Sequence, residues 1–150
     1  MTLPIMMQHW IFVLLPFSDF NRGDIAHTLC KAQNTGRWPI GRNTVNRFKI
    51  LKGDQILFYL AGDGGKKFTG SAALSSNLII DECNQNEYVQ LENIYFWKKP
   101  LPIRELIKEL TFIKNKEHWG LNFQGGLIRI TESDYSLILK KAKCRIPKKE

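Results

Sequence analysis

The residues best suited to recognition chemistry lie in a basic stretch from position 37 to position 52. Its five basic side chains have no acidic residue among them: Arg37, Arg42, Arg47, Lys49 and Lys52. Trp38 lies within this stretch. An indole face stabilises an extruded nucleobase by about 1–3 kcal/mol, while nearby cations hold the flanking phosphates. Trp38 therefore predicts a slot in which one base stacks on an exposed ring, although a tryptophan more often packs in a core.

The sequence offers little for metal, cofactor or covalent chemistry. Its three cysteines are far apart and its three histidines form no cluster with them, so we read the cysteines as free thiols. No pairing of a nucleophile with a base is visible. We therefore predict a protein that is not an enzyme and needs neither a metal nor a cofactor.

Length and charge limit the class of protein. With 150 residues the chain suits one domain over 1–150, with a leader over 1–8 and a basic tail over 141–150. The net charge of +8 favours an acidic partner such as nucleic acid, although residues from 140 onward carry a surplus of five and resemble a solvated tail. The apolar run over 10–15 is too short to span a bilayer, so we expect a cytoplasmic protein without membrane contact.

Hydrophobic periodicity predicts strands that alternate with a few helices. The predicted strands cover 10–15, 55–60, 68–74, 88–97 and 127–130. The predicted helices are a short one that ends at Gly36, a second over 102–110 and a third that Thr131 and Asp134 open as a capping box. Asp63 and Gly64 are the expected turn of a hairpin between the second and third strands.

Two local features of the predicted strands indicate how the sheet is shaped. The apolar alternation of the strand over 88–97 changes phase near Asn93, which predicts a bulge or a strong bend. Small residues around Gly70 leave a shallow strand face, which permits close approach of another element or of a ligand.

Three strings, taken in order, carry a resemblance to a known family. They are KGD at 52–54, KFTGSAALSS at 67–76 and FIKNKEHWG at 112–120. From about Trp10 to Leu139 the chain resembles an EVE domain of the PUA-like superfamily and is similar to the related YTH domains. The resemblance implies an α+β fold, a PUA-like β-barrel of about five or six strands flanked by helices.

The resemblance also implies a binding site. In YTH domains a tryptophan at the position that matches Trp38 forms one wall of a cage around a methylated adenine. The resemblance places Ser18 and Asn21 at the pocket mouth and Gln124 against the nucleotide. A second cage tryptophan has no counterpart here, because residues 69–87 contain no aromatic side chain, and Phe17 is our candidate for that wall.

These observations predict a non-catalytic module that binds RNA or DNA and reads a modified, methylated base. The candidate phosphate contacts are Arg37, Arg42, Arg47, Lys114 and Lys116. One alternative is an RNA-binding domain without preference for modification. The other is a small amidohydrolase for modified nucleosides, similar to ASCH domains, in which Lys67, Thr69 and Glu92 would act.

Overall fold

A computed structural model describes residues 7–14, 25–42, 44–62, 65–114, 117–120 and 126–145, with side chains omitted at 25–28, 144 and 145. Within these ranges the strands are β1 (His9–Leu14), β2 (Arg37–Ile40), β3 (Gln55–Leu60), β4 (Lys67–Leu74), β5 (Ile79–Ile80), β6 (Glu87–Pro102) and β7 (Leu127–Ile130). The helices are α1 (Ile25–Thr35), α2 (Glu132–Arg145) and a short 3-10 helix (Ile103–Glu105). The predicted α+β class is confirmed, and the two-residue β5 brings the described strands to seven.

One curled sheet joins the strands in the order β2-β6-β4-β3-β1-β7, with β5 paired to β6. β1 runs parallel to β3 and antiparallel to β7, and this places it inside the sheet. Five of its six residues are buried. This burial confirms the prediction of a central strand from the dense apolar run, because a strand covered on both faces does not alternate with polar residues.

The two faces of the sheet bury separate apolar clusters, since successive side chains of a strand point to opposite sides. The first cluster contains Ile11 together with buried residues of α2 and of the segment that follows β6. The second cluster contains Trp10 and Phe12, and it also includes Ala32 of α1 and Trp38 of β2. Each helix therefore contributes to a different face.

The long strand β6 bends where the sequence predicts. Asn93 has a positive φ of 53°, and the pairing with β4 shifts register near this point, between Ser71 and Ala73. Residues 87–90 pair with β2, whereas residues from Leu91 onward pair with β4. The bend thus lets one strand pair with β2 over its first residues and with β4 over the remainder.

Gly70 of β4 lies against the backbone of β6, which is the close approach that its small neighbours predict. A side-chain carbon at this position would clash with the carbonyl oxygen of Tyr95 and would lie 3.1 Å from the Cα of Phe96. The two strands can pair here only because position 70 has no side chain.

The helix predicted over 102–110 is wrong as a backbone assignment. β6 continues to Pro102, the 3-10 helix covers only Ile103–Glu105, and Leu106 leaves helical geometry at φ −123° and ψ −11°. Successive tight turns follow, with Leu106 N–H donating to Ile103 O at 2.8 Å. Such turns also bring residues three and four apart to one side, so Leu106 and Leu110 are buried as the periodicity predicts.

Two buried carboxylates hold loops against the sheet. Asp54 accepts hydrogen bonds from the indole Nε1 of Trp10 at 2.9 Å and from the backbone N–H of Leu51 at 2.9 Å. Asp134 donates its N–H to Thr131 Oγ1 at 3.1 Å, which confirms the cap of α2. Its carboxylate, however, accepts a hydrogen bond from the Thr111 hydroxyl at 2.7 Å and so anchors a distant loop.

Among the described residues no helix is long and apolar enough to cross a membrane.

Candidate functional site

Strand β2 carries the residues that the sequence selects for base recognition. Gly36, at φ 74°, donates its N–H to Ala32 O at 2.8 Å, and it thereby ends α1 where the sequence predicts. Its carbonyl then accepts the N–H of Leu91 at 2.6 Å and starts the pairing with β6. The next residues alternate between the two sides, with Arg37 exposed and Trp38 buried.

Trp38 points into the second cluster, and its ring is only 4% exposed. The indole lies 4.8 Å from the ring of Phe58 and 6.4 Å from that of Phe12, measured between centroids. The expectation of an exposed ring at position 38 is therefore wrong. The period of two along β2 explains the burial, since Arg37 takes the outer position and its neighbour must face inward.

The exposed aromatic ring of the basic stretch is Phe48, which is 66% exposed. The guanidinium of Arg47 lies over this ring at 4.3 Å and also pairs with Glu87, Nε to Oε1, at 2.9 Å. A carboxylate within the protein thus neutralises the charge of Arg47. This pairing counts against the phosphate contact predicted for that residue.

An open groove of about 1180 Å³ follows the outer face of β2. The end of α1 borders it on one side and the segment from Asp81 to Tyr88 on the other. Arg37 lies over the ring of Tyr88 at 4.7 Å, and Arg42 Nη2 donates to Gln85 Oε1 at 3.1 Å. Both arginines are exposed, so they can contact an anion in the groove.

Tyr88 is not among the predicted site residues, because it lies in a strand that is predicted from the alternation of its apolar neighbours. Tyr88 and Gln90 occupy the less buried positions of β6, while Val89 and Leu91 are buried. This alternation could have assigned Tyr88 to the outer face. Its pairing with Pro39 of β2, however, depends on a register that the sequence does not encode locally.

The structure brings only part of the predicted site together. Phe17, Ser18, Asn21, Gln124 and Lys116 lie outside the described residues. Lys114 is exposed and follows Ile113, which packs in the first cluster, whereas Trp38 packs in the second. Lys114 therefore adjoins the opposite face of the sheet from Trp38.

The strand ends that lead into the undescribed segments 15–24 and 121–125 lie side by side. Val13 N–H donates to Gly126 O at 2.8 Å, and this bond joins the end of β1 to the start of β7. Leu14 and Leu127 both belong to the second cluster, together with Trp38. The described residues that flank these two segments therefore adjoin the cluster that contains Trp38.

The residues considered for an amidohydrolase do not converge. Lys67 pairs with Pro102, whereas Glu92 pairs with Ala73 at the other end of β4. Six residues of strand separate these two positions, which corresponds to roughly 20 Å. Within the part of the chain that the structure describes, no group of three metal-ligating side chains occurs either.

The EVE domain family model matches residues 8–141. The chain belongs to the EVE domain family. A UPF0310 protein from the gntR 5′ region of Bacillus licheniformis is 37% identical to this EVE domain over 78 residues, which are 51% of the chain and 53% of that relative. The chain thus spans about half the length of this curated relative.

Solved structures share the fold of this EVE domain at low identity. The human THYN1 protein in complex with 5-methylcytosine-containing DNA has a TM-score of 0.64 at 14% identity, covering 95% of this chain and 99% of that one. The YTH domain of the Zygosaccharomyces rouxii MRB1 protein, in complex with N6-methyladenosine RNA, has a TM-score of 0.60 at 17% identity, covering 94% and 91%. The predicted PUA-like fold is confirmed.

Proposed function

We propose that this EVE domain is a non-catalytic module that binds nucleic acid and recognises a modified base beside Trp38. The net charge of +8 favours a polyanionic partner. Two proteins of the same fold, THYN1 and the MRB1 YTH domain, were solved with methylated DNA and methylated RNA. The observation that carries the proposal is the position of Trp38 on the inner face of β2, between exposed arginines at 37 and 42.

In this proposal the base binds a conformation in which the indole is more accessible than here, where Trp38 is 4% exposed. Segment 15–24 follows Leu14 and segment 121–125 precedes Gly126, and Leu14 and Leu127 belong to the cluster that contains Trp38. They are therefore suited to form the mouth of the pocket. Phe17 would provide a second wall, and Ser18, Asn21 and Gln124 would contact the edge of the base.

Arg37 and Arg42 are the proposed contacts to the flanking phosphates. Both are exposed, and both line the groove on the outer face of β2. Lys31 lines the same groove and adds a third cation. We leave Arg47 out of this set because Glu87 already pairs with it. Lys114 adjoins the other face, and Lys116 remains a prediction from the sequence.

Selectivity for a modified base would come from packing the added carbon against apolar walls. A pocket that fits one extra methyl group discriminates by about 1–3 kcal/mol, which corresponds to roughly 10- to 200-fold. The direct test is titration of DNA and RNA oligonucleotides that carry methylcytosine, hydroxymethylcytosine or methyladenine, against unmodified strands. We expect at least one modified strand to bind ten times more tightly; equal affinity across the panel would refute base recognition.

Single variants at the proposed mouth then test which residues read the base. Ser18→Ala, Asn21→Ala and Gln124→Ala should each reduce the preference for the modified strand. Val45→Ala is a matched control, because Val45 is 65% exposed and has no role in the proposed pocket. If the three variants keep the preference of the parent protein, the base contacts lie elsewhere.

The second candidate is an RNA-binding domain that ignores modification, and the burial of Trp38 favours it. Such a domain would bind through its cations alone, so its affinity would fall steeply with salt. Arg37→Gln with Arg42→Gln should then weaken modified and unmodified strands equally. A reader would also lose affinity for both strands by the same factor, so the ratio of the two affinities separates the candidates: it is near one for the modification-independent domain and about tenfold for the reader.

A further inference from the structure

The pairing of β4 with β6 gathers a basic cluster that the sequence does not reveal as one feature. Lys67 opens β4 and Lys66 directly precedes it, whereas Lys98 and Lys99 lie 31 or more residues later in β6. Lys67 pairs with Pro102, and the Ile103 N–H donates to Lys66 O at 2.9 Å. These two contacts fix the start of β4 beside the end of β6.

Lys98 and Lys99 lie where the pairing of β6 with β4 shifts register. Phe68 pairs with Leu101, while Gly70, two residues along β4, pairs with Phe96, five residues back along β6. Residues 97–100 therefore lie opposite the single residue Thr69 and form a bulge in β6. Both lysines are exposed, as are Lys66 and Arg104.

The charge of this cluster is large for the size of the protein. Residues 61–70 and 94–105 contain five basic side chains and two acidic ones, which are the exposed Glu105 and Asp63, the latter outside the described residues. Their net charge of +3 is a large share of the net charge of +8 of the whole chain. By contrast, the acidic residues Asp81 and Glu87 line the same groove as the arginines of the stretch 37–52. Glu87 also forms an ion pair with Arg47, which lowers the charge available in that stretch.

We propose that Lys66, Lys67, Lys98, Lys99 and Arg104 form a second contact to the phosphate backbone of nucleic acid. This inference rests on the proposed function only in taking nucleic acid as the ligand. Tyr95 supports that ligand over an anionic membrane or an acidic protein, because its ring is 62% exposed three residues before Lys98. An exposed aromatic ring beside cations is typical of surfaces that follow a nucleic-acid strand.

The separation of the two contacts suits a continuous strand. Val89, which pairs with Trp38, lies nine residues before Lys98 on β6, so the two positions are at most about 30 Å apart. Duplex DNA rises about 3.4 Å per base pair, so about nine base pairs span that distance. A 24-base-pair duplex is long enough to reach both contacts.

The test measures the affinity of the protein for a 24-base-pair duplex and for its single strand as a function of salt concentration. The variants are then compared with the parent protein on whichever of the two the parent binds more tightly. The cluster variant combines Lys66→Gln, Lys67→Gln, Lys98→Gln and Lys99→Gln. Each phosphate contact adds about 0.7 to 0.9 to the slope of log K against log salt. We expect the slope to fall by about 2 to 3.5 and the affinity to fall at least tenfold near 0.1 M salt.

Two controls isolate the position of the charge. A variant with Lys108→Gln, Lys140→Gln, Lys141→Gln and Lys143→Gln loses the same total charge from exposed sites elsewhere and should keep most of the slope. Lysine-to-arginine changes at the four cluster positions should preserve it. Equal losses in the cluster and control variants, or an unchanged slope in the cluster variant, would overturn the proposal; so would a loss seen with anionic vesicles and not with oligonucleotides.

This outcome is independent of base recognition. The ratio of affinities for modified and unmodified strands reports the pocket at Trp38, whereas the salt slope reports the cluster. A protein that shows no preference for modification yet loses its slope in the cluster variant would support the second contact and refute the reader. The reverse result would support the reader and refute the second contact.

Discussion

The guanidinium of Arg47 and the carboxylate of Glu87 lie 2.9 Å apart, Nε to Oε1, and the Glu87 side chain is only 8% exposed. Forty residues separate the two in the sequence. The pair joins the turn after β2 to the start of β6, beside the groove that Glu87 also lines. The ion pair therefore gives Arg47 a structural role, and its charge is not free to bind a phosphate.

This pair predicts opposite effects of two substitutions on nucleic-acid binding. Glu87→Gln should raise affinity roughly threefold or more at low salt, because it releases the charge of Arg47 and removes an anion from the groove. Arg47→Gln should leave affinity nearly unchanged but lower the free energy of unfolding by about 1 to 3 kcal/mol, since it leaves a largely buried carboxylate unpaired. Titration with an oligonucleotide and urea denaturation measure the two quantities. Weaker binding by the Glu87→Gln variant would contradict the conclusion that this carboxylate neutralises Arg47.

Trp38 should contribute more to stability than any exposed aromatic residue of the basic stretch. Trp38→Ala removes a ring that is 4% exposed and packs on Phe58, so we expect a loss of about 3–5 kcal/mol in the free energy of unfolding. Phe48→Ala is the matched control, because that ring is 66% exposed and should cost about 0.5 kcal/mol. Denaturation in urea compares the two variants. A loss below about 1 kcal/mol at Trp38 would indicate a ring that is not part of the core.

Trp38→Phe separates stability from recognition at the same position. Phenylalanine keeps most of the packing, so the loss of stability should be smaller, about 1 to 2 kcal/mol. Its ring offers a smaller stacking face, so a base reader should lose part of its preference for the modified strand. Binding is measured below the midpoint of unfolding, with circular dichroism as the check of folding. An unchanged preference in a folded variant would place the base away from position 38.

Gly70 should not tolerate any side chain. In Gly70→Ala the new carbon would meet the Tyr95 carbonyl oxygen and the Phe96 backbone, so β4 and β6 would have to separate. Because overpacking of this kind costs about 1–3 kcal/mol or more, we expect a lower melting temperature or insoluble protein. Gly120→Ala is the control, since none of the described residues lies within 4 Å of a carbon added there. Similar melting temperatures for the two variants would disprove the close approach.

Stability should decline in alkaline solution because of buried tyrosines. Burial raises the pKa of Tyr59 and of Tyr135 above the ordinary value of 10.0. Above pH 10 the unfolded chain releases these protons while the folded protein retains them, so the free energy of unfolding falls as pH rises. Each tyrosine contributes at most about 1.4 kcal/mol per pH unit. Urea denaturation between pH 9 and pH 11 should show a shallower decline for Tyr59→Phe than for the parent protein, and equal slopes would rule out this linkage.

Much of the fold follows from short-range patterns in the sequence. The apolar run of β1, the end of α1 at Gly36, the bend at Asn93 and the cap at Thr131 are all found where they are predicted. Each depends on interactions among neighbours within a few residues. The helix predicted over 102–110 failed because periodic burial is shared by helices and by successive tight turns, which differ only in backbone geometry.

The site required the tertiary structure. By itself the sequence determined which residue types could stack on a base and neutralise phosphate, because these are properties of single side chains. It did not decide that Trp38 faces inward, that Glu87 pairs with Arg47, or that Lys67 and Lys98 lie on neighbouring strands. These facts follow from strand register, which shared burial and backbone hydrogen bonds fix between residues tens of positions apart.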